Sequence, residues 1–414
     1  MKKTALMACA ALVVMVAGAH AAPQRHEKVF AAVQGNKAGA LDLLKQIVNV
    51  DSGTGDVAGG NKVAGILAGR LKALGAAVRT EKSEAPGLPD NVVAVFHGTG
   101  KGKILIISHF DTVFGPGTVK GRPFSIDGAN RAHGPGVGDE KAGDVTALTA
   151  LKILHDLNFK NFASITVLLD ASEERGSPSC ANLIKALAKE SDVEFNMEPG
   201  DAPDVLTVWR KGAGDVVIHV EGRAAHAGMV PQNGRNALME LIHQINVLGS
   251  SFPTSGDGIT ANLTLLKAGS RANIIPDSAE ATFDERFRKP EELEQVVAKM
   301  KANAAKTMIP DTKVTVTASG SFPPLVENAQ THALAVRADA IYAELGKKIG
   351  HGGNGGASES AVAQSVGTPA LDGLGAVGGD FHTDHEWIDL GTLDSRLYLF
   401  TRLLMDTGAN PPGK

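Results

Sequence analysis

The sequence predicts an α/β fold in two parts: a larger α/β domain, with a small ferredoxin-like βαββαβ domain inserted into it. Three observations predict this. Short apolar β-rich runs alternate with helical patterns over the first half of the chain. From about Gly214 the order becomes strand, helix, strand, strand, helix, strand. Beyond about residue 325 the α/β texture returns. A length of 414 residues suits two or three domains. At 43% hydrophobic and 21% charged residues the chain can bury sizeable cores, and 48 glycines imply many tight turns.

The first 22 residues read as a secretory signal. "MKKT" is a basic start, "ALMACAALVVMVAG" an apolar run, and "AHA" at 19–21 a small-x-small cleavage site, with cleavage expected near Ala21 or Ala22. The apolar run is shorter than the ~20 residues of a membrane span. Periplasmic or secreted location follows, with no membrane segment in the mature form. Cleavage would remove Cys9 and leave Cys180 alone, so no intramolecular disulfide and no cysteine-rich zinc site is expected. The formal charge of -4 gives no reason to expect nucleic acid as a partner.

The elements follow in order. Helical periodicity runs through "AGALDLLKQIVNV" and "NKVAGILAGRLKALGA". Strands are expected at "NVVAVFHG", "KILIISHF", "SITVLLD" and "VEFNME", with helices at "VTALTALKILHDL" and "CANLIKALAKE". Continuous apolar strands argue for a sheet covered on both faces, whose sites gather at the C-terminal strand ends. The inserted domain, 214–321, comprises "DVVIHVEG", the helix "NALMELIHQINVLG", "ITANLTLLKAG", "AEATFDERF", a helix opening at Pro290, and "KVTVTAS". It divides the larger domain into 23–213 and 322–414.

Metal-capable side chains stand at the ends of several apolar runs. His109 and Asp111 close "ILIISHFDT", and Asp139 precedes a helix in "GPGVGDEKAG". Glu173 and Glu174 close "ITVLLDASEE", Glu198 closes "VEFNMEP", and His382 lies in "DFHTDHEWID". Each has a plain alternative. A lone histidine is usually structural, Asp139 can cap a helix, Glu198 can sit in a surface turn, and paired glutamates can be solvated. Jointly they make two sets of three zinc ligands if Asp139 is shared. Gathering several carboxylates is costly unless a cation compensates. "GTGKGKI", "GPGVGD" and "GSPSC" lack the spacings of a P-loop, a dinucleotide fingerprint and a nucleophile elbow.

The segments "SHFDTV", "GPGVGDEKAG", "SEERGS", "MEPG", "GRAAHAG", "ANIIPDSAEATFDER" and "HTDHEWI" occur in the order found in a known family. The chain resembles the zinc-dependent exopeptidases and amidases that include the glutamate carboxypeptidases (carboxypeptidase G type), aminoacylases, dipeptidases and desuccinylases. The resemblance spans nearly the whole mature chain and is closest to the carboxypeptidase G type. It implies a zinc-exopeptidase-like catalytic domain with an inserted dimerisation, or lid, domain, and hence a homodimer. It implies two zinc ions per subunit, one held by His109 and Glu198, the other by Glu174 and His382. Asp139 and a water or hydroxide would bridge them. Asp111 would orient His109, Glu173 would be the general base, and His226 would stabilise the oxyanion, possibly across the dimer. Asn273, Arg286 and Gly356 resemble substrate contacts, with Arg286 pairing a carboxylate.

In "HTDHE" either His382 or His385 offers a ligand; the resemblance favours His382, four residues before Glu386. Three departures bear on substrate. Ala142 replaces a usual glycine in "DEKAG", and "GGNGGASES" replaces a loop that more often continues with Thr-Asp. Asp201 and Asp204 follow Glu198 closely, where glutamate-selective members carry basic residues; Arg210 and Lys211 are the nearest cations. The expected activity is cleavage of an amide bond next to a free carboxylate, releasing a C-terminal, glutamate-type amino acid from N-acyl amino acids or small peptides. An aminoacylase or dipeptidase with another side-chain preference, and a non-catalytic binding homologue, are the alternatives.

Overall fold

A computed structural model describes residues 24–249 and 253–413, so the proposed leader lies outside the described residues. The main sheet has six strands in the order Ala77–Glu81, Asn91–His97, Ser164–Asp170, Lys103–His109, Val193–Asn196 and Ala370–Leu371. The last four run parallel to one another, and the first two pair antiparallel at one edge. Strand Ala77–Glu81 was not read from the sequence: its pattern is mostly exposed, with little apolar signal.

Alternation along the central strands divides two cores. Ile104, Ile106, Ile165, Val167 and Leu169 face a core built with helices Glu27–Val48, Ala142–Asp156 and Leu390–Ala409. Leu105, Ile107 and Leu168 face the other side, against Cys180, Ile184 and Ala188 of one helix region and Val362 and Ala363 of another. Both faces are therefore covered, as continuous apolar strands require. Cys180 is fully buried in this second core.

A second sheet of seven short strands lies beside the first, including Val205–Arg210, Gly350–Asn354, Val377–Gly379 and Trp387–Asp389. Its pieces are two to six residues long and draw on distant parts of the chain, so no local period betrays them.

The inserted unit carries four antiparallel strands in the order Thr260–Ala268, Ser278–Phe287, Gly212–Glu221, Lys313–Phe322. Helices Ala237–Gly249 and Pro290–Ala304 pack on one face through Val216, Ile218, Leu241, Phe283, Val296 and Met300. This is the ferredoxin-like βαββαβ arrangement. The other sheet face is open at its near end towards the larger domain. Among the described residues no helix is long and apolar enough to cross a membrane.

Candidate metal centre

The centre forms where the parallel strands end. His109 is the last residue of its strand, paired in register with Asp170. Three residues after Asp170 the chain enters a short 3-10 turn, Glu173–Arg175. The two glutamates therefore lie in this tight turn rather than on the strand, and the turn gives them different surroundings. Glu173 is buried and Glu174 half-buried. Glu198 follows strand Val193–Asn196, and its N–H donates to the Asn196 side chain (3.1 Å). Asp139 sits in the irregular entry to helix Ala142–Asp156, next to a cis Asp139–Glu140 peptide, rather than capping that helix.

Two imidazoles converge on Asp139 from opposite sides. His109 Nε2 lies 3.2 Å from Asp139 Oδ1, 3.4 Å from Glu198 Oε1 and 3.8 Å from Glu173 Oε2. His382 Nε2 lies 3.2 Å from Asp139 Oδ2 and 3.2 Å from Glu174 Oε2. Asp139 thus presents one oxygen to each histidine. His382 adopts a left-handed backbone (φ 63°), uncommon for a non-glycine residue, and its side chain stays 55% exposed. His385 has no part in this cluster.

The electrostatics describe a site short of positive charge. Burial alone would depress His109, but the surrounding carboxylates, Glu140 foremost, push it well above the ordinary imidazole value. Contacts with Asp139 and Glu174 push His382 up to about 11. Burial, then the Asp139 charge, raises Glu174 to about 7 and also raises Glu198. Burial raises Glu173 well above the usual carboxylate range. Burial would lift Asp139 too, yet its contacts with the two histidines hold it low.

The same residues fit a metal pair. His109 Nε2, Asp139 Oδ1 and Glu174 Oε1 are buried without a hydrogen-bond partner, which is costly unless something electropositive meets them. Asp139, Glu174 and His382 offer ligand atoms within 4.8 Å of one another, and so do His109, Glu140 and Glu198. Imidazole nitrogen and carboxylate oxygen are zinc donors.

A second tier holds these groups in place. Asp111 Oδ1 lies 3.3 Å from His109 Nδ1 and accepts the Glu173 N–H at 3.0 Å, while Oδ2 accepts from Thr54 Oγ1 at 2.6 Å. One carboxylate therefore couples the histidine to the Glu173 turn. Glu386 accepts N–H groups from Gly136 (3.2 Å), Gly138 (2.8 Å) and Asp139 (3.0 Å), clamping the Asp139 loop to the His382 segment. Glu140 accepts the His109 N–H at 2.7 Å and the Ser108 hydroxyl. Arg210 is buried, forms two 2.8 Å bonds to Asp372, and reaches Glu198 Oε2 at 3.5 Å. Sequence reading missed Glu140 and the Arg210–Asp372 pair. Glu140 was hidden as the neighbour of Asp139, and the Arg210–Asp372 pair is separated by 162 residues. Asp204, flagged as a possible pocket residue, instead pairs with Arg396 and Tyr342.

A cavity of about 620 Å³ opens from the centre towards the inserted domain. Arg286 and Gly356 both line it. Arg286 Nε and Nη2 hold Asp284 at 2.9 Å each. A Cβ at Gly356 would lie 2.9 Å from Arg210 Nη1, so the end of the Arg210 side chain would have to shift to admit one. His226 and Asn273 are not in this lining. They are exposed neighbours on the inserted domain, joined where the Ala227 N–H donates to the Asn273 carbonyl (3.0 Å). His226 Nδ1 accepts from Gly228 and Met229 N–H groups (3.1 Å each), which leaves Nε2 as an outward N–H donor.

A buried imidazole, a half-exposed one and a cluster of carboxylates converging on Asp139, at one end of a cavity, fit a metal-dependent hydrolase. Residues 105–406 match peptidase family M20/M25/M40, and the chain belongs to that family. It is 32% identical over 397 residues to carboxypeptidase G2 of Pseudomonas sp. (strain RS-16), covering 95% of each chain. It is 24% identical to a succinyl-diaminopimelate desuccinylase of Methylobacterium radiotolerans, covering 88% of this chain and 96% of that one. The fold matches an M20 family metallo-carboxypeptidase from Sulfolobus solfataricus (TM-score 0.70, 18% identity, 88% and 98% coverage). It also matches a tripeptidase from Staphylococcus aureus (TM-score 0.73, 22% identity, 90% and 99% coverage). The chain is a metal-dependent enzyme of the peptidase and amidohydrolase type, similar to enzymes that release a C-terminal amino acid.

Proposed function

We propose that this enzyme uses two zinc ions to hydrolyse an amide bond next to a free carboxylate, releasing a C-terminal amino acid from N-acyl amino acids or small peptides. The observation that carries this reading is Asp139, with one carboxylate oxygen at 3.2 Å from each of two histidines. His109 and Glu198 would hold one ion, Glu174 and His382 the other, and Asp139 both. When bound, such a pair supplies Lewis-acid activation of water and of the scissile carbonyl. Glu173, buried beside the ligands, takes the proton of the attacking water and delivers it to the leaving nitrogen. Asp111 fixes both His109 and the Glu173 backbone, so ligand and base keep one geometry. Arg286, at the cavity wall, pairs with the substrate carboxylate.

His226 donates from Nε2 to the oxyanion of a second copy's site. Supporting that reading are its distance from its own cavity and the exposed Leu263, Leu265 and Leu266 on the edge strand Thr260–Ala268, an apolar edge suited to a homodimer. Export to the periplasm rests on the basic-apolar leader.

The test of the base is Glu173→Ala. The account expects zinc content unchanged and turnover of an N-acyl amino acid reduced by about 10²–10⁴-fold. Full turnover with zinc bound would sink the assignment.

A further inference from the structure

The inserted domain touches the turn that carries Glu173 and Glu174. It joins the larger domain through two antiparallel partners, Gly212–Glu221 where the chain enters and Lys313–Phe322 where it leaves. Their register shifts at the junction. Ala213 faces Phe322 and Gly214 faces Gly320, so Ser321 is an extra residue with no cross-strand partner in this pair. Such a bulge re-aims a side chain, and bulges gather next to active sites. Ser321 is fixed on both flanks. Its hydroxyl donates to the Ala213 carbonyl at 3.2 Å, and Phe322 is buried in the second core of the larger domain with Leu168 and Cys180.

Ser321 meets Gly176. A Cβ built on Gly176 would lie 2.5 Å from Ser321 Cβ and 3.3 Å from Ser321 Cα, so no side chain fits between them. Gly176 takes the left-handed backbone (φ 84°), and its N–H donates to the Glu173 carbonyl at 2.7 Å, closing the turn Glu173–Arg175. Both Gly176 and Ser321 line the cavity. The turn is thus held from two sides. On the larger domain, Asp111 accepts the Glu173 N–H, and the Ser172 carbonyl accepts from the Arg175 and Ser177 N–H groups at 3.1 and 3.0 Å. On the inserted domain, Ser321 abuts it. A close-packed contact leaves no slack, so a shift on one side is passed to the other.

Resting on the hydrolase reading above, we infer that Ser321 is a positioning residue for the reaction. Its Cβ, set against Gly176, fixes where the Glu173–Arg175 turn stands, and with it the base Glu173 and the metal-facing Glu174. The inserted domain then does more than wall the cavity. The way it seats on the larger domain sets the geometry of the base.

The experiment compares three variants of the full-length enzyme. Ser321→Ala keeps the Cβ and loses the hydroxyl bond to Ala213, whereas Ser321→Gly removes both. Ser319→Gly controls for the looser strand that any glycine brings. Ser319 lies two residues earlier on the same strand and does not line the cavity. With zinc saturating, kcat and KM are measured on N-acetyl-glutamate and N-acetyl-methionine, and zinc affinity is measured separately by competition with a chelator. A misplacement of about 1 Å can cost about 100-fold in rate, so the smaller shift in Ser321→Gly is expected to lower kcat by about 10-fold with KM little changed. Its zinc affinity should fall by about 10-fold too, because Glu174 rides on the same turn. Ser321→Ala and Ser319→Gly should match wild type in both measurements. Wild-type kcat and zinc affinity in Ser321→Gly overturn the inference, as does an equal loss in Ser321→Ala or in Ser319→Gly. A wild type that hydrolyses neither substrate counts against the hydrolase reading instead, and the zinc affinities then still decide the role of Ser321.

Discussion

Glu386 offers a direct test of how the centre is held. Its buried carboxylate accepts three backbone N–H groups from the loop that carries Asp139. Glu386→Ala strands three buried donors, at about 2 kcal/mol each, or roughly 6 kcal/mol. Removing the charge returns part of this. Burial first, then the Asp139 charge, pushes the Glu386 carboxyl up to about 7, while the three N–H bonds pull the other way. Folding against that burden costs about 3 kcal/mol above pH 7. The net loss is therefore about 3 kcal/mol at pH 8. Glu386→Gln keeps an acceptor oxygen and should lose less. The assay is urea unfolding followed by the fluorescence of the two tryptophans, Trp209 and Trp387, both in the larger domain and one adjacent to the mutation. Zinc affinity should fall in parallel, by about 10- to 100-fold, because the loop positions Asp139. An alanine variant within about 1 kcal/mol of wild type, binding zinc normally, would refute the clamp.

Two further outcomes follow from other parts of the structure. Glu285 points beneath the helices of the inserted domain with both carboxylate oxygens unpartnered among the described residues, and burial, then Asp284, raises it to about 8. A carboxyl raised in the folded state is fully tolerated below its unfolded value near 4.5 and costs stability as pH rises towards 8. Glu285→Gln should therefore match wild type near pH 4 and exceed it at pH 9, by up to about 5 kcal/mol in denaturant unfolding. Equal stability of the two at pH 9 would contradict this. Chelation should lower the unfolding midpoint, because clustered carboxylates lose their counter-charge. Returning zinc at about 1,000 times its Kd should restore about 4 kcal/mol, read by the same unfolding assay.

Much of this was legible in the sequence because the strongest signals are local. Apolar runs such as "KILIISHF" are long enough to mark a strand, and the residue at its end, His109, is placed by the strand itself. The βαββαβ order was readable for the same reason. What escaped was non-local or irregular. The seven-stranded sheet is assembled from pieces too short to carry a period. The different exposures of Glu173 and Glu174 come from a three-residue turn, not from the strand before it. Glu386 was visible only as a spacing from His382; its role emerges when a loop some 250 residues earlier folds against it. His226 and Asn273 sit apart from the cavity, so the roles the resemblance implies for them leave no mark within one chain's geometry.

The central claim is a dinuclear centre bridged by Asp139, and metal stoichiometry tests it most directly. Enzyme dialysed against excess zinc and then desalted should carry about two zinc ions per chain by elemental analysis, and Asp139→Ala about one or fewer. One ion or none in the wild type, or two retained without the Asp139 carboxylate, would contradict the account.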